Sequence, residues 1–213
     1  MLEAAGGRCR HGLQPGDEPA PWCQDRTNGS SGPGRNRGRQ PRRYADALDV
    51  ARRLALVLTA AGAHIVLTRT TDTGVGPCVP ERAAIGNRAQ ADVAIYIHAD
   101  GNTSSTARGF HVIAPKLLPG LTDDVYAPSK RLSLDVRDAF DATGSPRSNY
   151  AGANGLIERD DLGGLRLSDV PKVFIETGNM RNPSDVTKLE SPLWRQGAAN
   201  ALAGGLARYL SGG

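Results

Sequence analysis

Two stretches of this chain bring an apolar run up to residues able to do proton or metal chemistry. Residues 94–101 read Ala-Ile-Tyr-Ile-His-Ala-Asp-Gly, a short apolar segment that runs into His98, Asp100 and Gly101. Residues 172–179 read Lys-Val-Phe-Ile-Glu-Thr-Gly-Asn, a second apolar, β-branched run that ends on Glu176. Continuous apolar runs of this length fit strands buried on both faces of a parallel sheet. Open α/β sheets bind ligands outside the carboxyl ends of their strands. His98 and Glu176, far apart in the chain, are therefore expected on one rim. A histidine and a carboxylate meeting there suit a metal site or an acid/base site. Each has a plainer reading alone: a histidine satisfied by its neighbours, a carboxylate that bonds a loop.

An α/β frame has to hold these two strand ends together. Ala47, Leu48, Ala51, Leu54, Ala55 and Leu58 recur at helical spacing and form one apolar stripe, with Gly62 as its stop. His64–Thr68 reads as a strand ending at Arg69, with His64 at its start, away from the rim, in a structural role. After a loop over 72–77, Pro80 opens a helix through Arg82, Ile85 and Asn87 to Ala89. Arg108–Ile113 reads as a strand with Phe110 and Val112 on one face and His111 and Ile113 on the other. Mid-strand, His111 is assigned mainly a packing role. Residues 115–128 read as loop, and Ser129 as the cap of a helix whose face is Leu132, Val136, Ala139 and Phe140. A loop over 143–154 leads to an irregular stretch, 155–170, with the polar cluster Glu158-Arg159-Asp160-Asp161. Ser191-Pro192 opens the last helix, whose core face is Trp194, Ala198, Ala201, Leu202 and Leu206. The order helix-strand-helix-strand-strand-helix-strand-helix indicates the α/β class.

Composition sets the outer bounds. A chain of 213 residues with 39% apolar content can bury one real core. A net charge of +4 is compatible with an anionic polymer such as nucleic acid or an acidic cell wall, while 5% aromatics argue against a base-stacking platform. No apolar run is long enough to span a membrane, and Met1 is not followed by the basic and apolar stretches of a signal peptide. The cysteines are Cys9, Cys23 and Cys78, too few for a disulfide scaffold. Residues 1–43 differ from the rest: eight Arg, eight Gly and five Pro, with no Lys, Val, Ile or Phe. They read as an irregular basic arm and residues 44–213 as the folded domain. Arg35, Arg37, Arg39, Arg42 and Arg43 suit nucleic-acid contact. A solvated tail is the stronger reading, because no folded nucleic-acid module follows.

From about Tyr44 to Tyr209 the chain resembles the zinc-dependent N-acetylmuramoyl-L-alanine amidases of the Amidase_3 type, especially their actinobacterial branch. The residues that carry the resemblance come in order. They are the Ala-Ala-Gly helix end before Leu67-Thr68-Arg69, Glu81-Arg82, Asn87-Arg88-Ala89 before Ala91-Asp92, and Ile97-His98-Ala99-Asp100. Arg108-Gly109-Phe110-His111-Val112, Arg159-x-Asp161-Leu162 and Glu176-x-Gly178-Asn179-Met180-x-Asn182-Pro183 follow. The resemblance implies a three-layer α/β/α sandwich with a mostly parallel sheet, phosphorylase/hydrolase-like in fold. It implies a peptidoglycan hydrolase, cleaving between the muramic acid lactyl group and the L-alanine of the stem peptide. It implies a Zn2+ cofactor with His98 as a ligand and Glu176 as the catalytic carboxylate. Arg159 and Asp161 either contact substrate or hold each other across a loop, the ion pair being the safer reading. The expected partner is peptidoglycan or a muropeptide, with no nucleic acid and no membrane insertion. The expected state is a monomer outside the cytoplasmic membrane.

The chain departs from the family at its start. The family opens with a strand and an Asp-Pro-Gly-His-Gly-type turn whose histidine is the first zinc ligand, and a Glu just before the first helix is the second. Counting back along the helix puts that Glu near Arg43, a cation that cannot ligate. His11-Gly12 is the one His-Gly pair, which makes His11 the candidate ligand and Glu18 a weaker one beside Asp17 and Asp25. Cys23-Gln24 resembles a Cys-Gln of the actinobacterial branch, which implies a bridge from Cys23 to Cys78. Counting back from Cys23 places the expected first strand before Met1. Either the segment reflects a shifted frame or start, or the chain is a divergent member that has lost zinc. The leading function is a zinc amidase. The alternative is a metal-free, inactive amidase-like protein that binds peptidoglycan or regulates wall synthesis, and a nucleic-acid binder is the third class.

Overall fold

The computed structural model describes residues 2–4, 40–71 and 76–212. A five-stranded sheet runs through it in the order β1-β2-β5-β3-β4. The strands are β1 (Leu2–Ala4), β2 (Ala94–Asp100), β3 (His111–Pro115), β4 (Leu156–Arg159) and β5 (Lys172–Asn179). Three of the four pairings are parallel, and β3 runs antiparallel to β5. Helices cover both faces, which is the expected α/β/α arrangement. The larger core lies under α1 (Gln40–Ala60), α3 (Asp123–Phe140) and α6 (Pro192–Leu210), where Leu48, Ala51 and Leu54 of α1 meet Ile95, Ile97, Val173 and Ile175 of the sheet. Phe110, Leu132, Val136, Phe140, Ala198, Leu202 and Leu206 complete it. The opposite face carries α2 (Val79–Arg88) and α4 (Gly163–Arg166) over a smaller cluster of Tyr96, Ile113, Leu165 and Phe174. Among the described residues no helix is long and apolar enough to cross a membrane.

Local chemistry explains most boundaries. Ser191 accepts from the Trp194 amide, and Pro192 fills the first turn of α6. Gly62 closes α1 with a φ of +90°. Asn182 caps α5 (Pro183–Leu189) by accepting from the Ser184 and Asp185 amides. The start of β5 buries Lys172, whose Nζ lies 3.8 Å from the centroid of the Tyr96 ring. A desolvated cation–π contact of this kind contributes about 2 kcal/mol.

Four expectations are corrected. Residues 1–43 were expected to be irregular, with the first strand lying before Met1; instead Leu2–Ala4 pairs in parallel with β2, Ala4 opposite Ile97, and α1 begins at Gln40. His64–Thr68 forms no ladder, and Leu67 alone makes a bridge. Its apolar side chains still pack, Ile65 and Leu67 on the larger core and Val66, with Ile85, against Ala94 and Val170, so the apolar run marks burial without sheet pairing. The helix expected at Ser129 begins at Asp123 and carries Pro128 inside it. The proline costs one intrahelical bond, and the stripe of Val125, Leu132, Val136 and Phe140 outweighs that loss. The stretch 155–170, read as irregular, holds β4 and α4. These are four residues each, too short to show a period.

A buried polar knot fixes the loop between β2 and β3. Asp185 accepts from the Gly109 amide at 2.8 Å and from the Asn179 amide at 2.9 Å. The Asn179 side chain donates to Ala107 O at 2.7 Å, and that of Asn182 to Ser105 O at 2.8 Å. Gly109 has a φ of +93°, and a Cβ there would lie 2.5 Å from Pro146 O. Gly109→Ala is therefore expected to destabilise the fold by about 2 kcal/mol or more. Thermal unfolding should show a Tm several degrees lower than that of the parent chain.

Candidate active site

The site is a row of side chains on the α2/α4 face of the sheet. The parallel register of β2 and β5 sets Tyr96 opposite Phe174 and, two residues on, His98 opposite Glu176. Tyr96 and Phe174 stack at 4.1 Å and form the apolar floor, and the His98 ring lies 5.0 Å from Phe174. Above that floor His98 Nδ1 is 3.7 Å from Glu176 Oε1. This is closer than two unrelated groups would sit and longer than a hydrogen bond. The His98 side chain is 27% exposed and that of Glu176 14% exposed, so both reach solvent from a largely enclosed position. The two residues expected on one rim are thus neighbours.

The row has a third member, which the sequence reading assigned to packing. Through the antiparallel register of β3 and β5, His111 lies opposite Glu176. It is 4% exposed, and its Nδ1 has no hydrogen-bond partner. Burial pushes its pKa down, against the Asp100 charge, which raises it, and with the Arg159 charge, which lowers it further. His111 is thus neutral near pH 7. Its face was legible in the alternation of Phe110, His111, Val112 and Ile113; its register was not, because an antiparallel neighbour cannot be read from one strand.

Tyr150 was also missed, because it lies in a loop with no periodicity. Its hydroxyl donates to Asp100 Oδ2 at 2.8 Å, and its ring meets the His111 ring edge-to-face at 5.7 Å. Its pKa is pushed well above the ordinary phenol value by burial, by the bond to Asp100, and by the charges of Asp100, Glu176 and Asp185. The phenol is a neutral donor at any working pH.

Arg159 ends β4, and its guanidinium holds Asp161 through two bonds of 2.8 and 2.5 Å. The side chains are 40% and 60% exposed, so this pair is a solvated clasp across the loop. Glu176 and Asp100 add to the charges that raise the Arg159 pKa, after the bond to Asp161, which places the guanidinium within reach of the row.

His11, Glu18 and Cys23 lie outside the described residues. Cys78 is buried at the start of α2. Zinc asks for three protein donors in a catalytic site. Among the described residues no three or more His, Cys, Asp or Glu side chains converge on a metal position. The donor set fits zinc only in part: His98 is a suitable ligand, and two further donors would have to come from elsewhere in the chain.

Comparison with known proteins bears on the family of the chain. An N-acetylmuramoyl-L-alanine amidase of Mycobacterium tuberculosis is 41% identical over 159 residues, covering 75% of this chain and 65% of that protein. The amidase LytC of Bacillus subtilis is 30% identical over 164 residues, covering 76% of this chain and 30% of that protein. The chain therefore spans less than two thirds of the length of these curated relatives. Among solved structures, the N-acetylmuramyl-L-alanine amidase of Mycobacterium smegmatis superposes with a TM-score of 0.76 at 37% identity, covering 80% of this chain and 78% of that one. The apo form of the corresponding amidase from Mycobacterium abscessus gives a TM-score of 0.74 at 34% identity, with 79% and 78% covered. The Amidase_3 family model matches residues 29–208, and the chain belongs to that family, the N-acetylmuramoyl-L-alanine amidases.

Proposed function

We propose that this chain hydrolyses the amide between the lactyl group of N-acetylmuramic acid and the L-alanine of the peptidoglycan stem, acting in the cell wall. The observation that carries this reading is the pairing of His98 with Glu176 across two adjacent strands, on an apolar floor and at the carboxyl rim. Amide hydrolysis needs a base to take a proton from the attacking water and an acid to return it to the departing amine. One carboxylate performs both when it lies between the two oxygen and nitrogen positions. Glu176 is held on a central strand and is 14% exposed, so it is enclosed enough to be aimed and open enough to reach water. Arg159, an exposed cation at the end of β4, two strands from β5, suits a carboxylate of the stem peptide, with Asp161 fixing its orientation.

The reading includes a zinc ion, with His98 as one ligand and His11, then Glu18, as candidates for the others. Bound there, zinc would lower the pKa of its water toward neutrality and polarise the carbonyl. The placement of β1 supports a ligand from the N-terminal segment. Ala4 pairs with Ile97, one residue below His98, and His11 follows Ala4 by seven positions. Seven residues reach at most about 25 Å. A second reading, a metal-free family member that binds peptidoglycan without cleaving it, draws on the lack of a three-donor group among the described residues.

Glu176→Gln should lower kcat on a defined muropeptide by about a hundredfold or more, with Tm unchanged, as scored by release of the free stem peptide. A variant with parental turnover would remove Glu176 from the mechanism. Mass spectrometry of the dialysed protein should find about one zinc per chain, and chelation should abolish turnover that added zinc restores. A protein with no zinc and no turnover that still sediments with peptidoglycan would establish the second reading instead.

A further inference from the structure

The strand order places β5 between β2 and β3, so Glu176 has His98 on one flank and His111 on the other. Directly opposed residues of an antiparallel pair hold their Cβ atoms about 5 Å apart. Tyr150 completes the enclosure. Its backbone is stitched to the start of β3: Ser148 donates to Phe110 O at 2.7 Å and Asn149 to Arg108 O at 3.2 Å, while Asn149 Oδ1 accepts from the Arg108 amide at 2.9 Å. Its hydroxyl ends on Asp100 of β2. The Tyr150 side chain thus links the segment entering β3 to the end of β2, where Asp100 pairs with Asn179, three residues past Glu176. The five side chains follow one another in a row: His98 and Glu176 at 3.7 Å, His111 opposite Glu176, the His111 and Tyr150 rings at 5.7 Å, and Tyr150 bonded to Asp100.

We propose that His111 and Tyr150 are positioning residues for Glu176, and that the Tyr150–Asp100 hydrogen bond is the strap that holds this row in place. The proposal rests on the reading of Glu176 as the base of an amidase. Three observations favour positioning over simple packing. A buried imidazole with an unpartnered nitrogen costs more than the aliphatic side chain that would fill the same place. Because His111 is neutral, it confines the carboxylate without forming the ion pair that would blunt its basicity. The Asp100 carboxylate is held on both oxygens, Oδ1 by the Gly101 amide at 2.5 Å and Oδ2 by Tyr150, so the far end of the strap is itself fixed. Small displacements of a base cost large factors in rate while leaving substrate affinity nearly unchanged.

The test uses the full chain with Tyr150→Phe, His111→Phe and His111→Gln, a defined muropeptide, and hydrogen exchange across 147–153. Tyr150→Phe keeps the ring on His111 and removes only the hydroxyl. It should lower kcat about tenfold with KM within about twofold, and speed amide exchange in that loop. His111→Phe, which preserves the packing, should lower kcat by a similar factor at unchanged Tm, and His111→Gln should recover part of the loss. A kcat within about twofold of the parent for both Tyr150→Phe and His111→Phe would overturn the proposal. If the parent chain does not turn over the muropeptide, the amidase reading fails separately. The strap is then judged by exchange alone, and loop protection that Tyr150→Phe leaves unchanged overturns it.

Discussion

The parallel pairing of β2 with β5 is the constraint on which the rest of this molecule depends. Side chains alternate across a strand, so a register slip of one residue would move a whole set from one face to the other. Here the register is held from below. Ile95, Ile97, Val173 and Ile175 are all fully buried against α1 and α6, which leaves Tyr96, Phe174, His98 and Glu176 on the opposite face. The larger core therefore does more than supply stability. By fixing which residues must point into it, it dictates that the histidine and the carboxylate point out of it together. The irregularity in pairing comes only after His98, where the ladder shifts before Asp100 meets Asn179.

A second device acts where the strands end and the ladder can no longer control geometry. Asp185 and Asn179 bind backbone groups of the loop between β2 and β3, and Asn182 binds it while capping α5. Asp185, Asn179 and Asn182 are all buried, so these bonds form in a low-dielectric setting where leaving one unmade costs about 1–3 kcal/mol. The knot ties the exit of β5 to the entrance of β3. It thereby holds Arg108 and Phe110, the residues to which the Tyr150 loop is bonded. Positioning thus passes from apolar packing in the sheet to satisfied polar groups at its rim.

Much of this was legible in the residues. The apolar runs gave β2 and β5, the helical stripes gave the buried faces of α1 and α6, and together these placed His98 beside Glu176. The features that escaped share one physical trait: they depend on a partner distant in sequence. His64–Thr68 has a strand's β-branched apolar run but no neighbour to form a ladder with among the described residues. β4 shows no alternation, because its four residues are mostly half-buried and its existence depends on pairing with β3. His111 was placed on the correct face, but its relation to Glu176 follows only from β3 entering the sheet antiparallel. Tyr150 lies in a loop whose bonds to β3 and β2 no local pattern reports. Pro128 misled in the other direction, since its local penalty was read without the buried stripe that overrides it.

The strands also differ in how far they carry the rim beside His98. The row on the sheet is complete: Glu176 occupies one flank of His98, and beyond it lies His111, buried and walled by Tyr150. Neighbouring strands lie about 4.8 Å apart, and the other flank of β2 is taken by β1. That flank is bounded by a strand of three residues that ends opposite Ile97, just short of the level of His98. Among the described residues β1 offers no residue at the height of His98. Among the described residues the row of His98, Glu176 and His111 therefore draws its placement from β2, β3 and β5, with Tyr150 held at its edge by the bonds of its loop. The Glu176 carboxylate sits on the central strand of the sheet, where the register on both sides fixes its position.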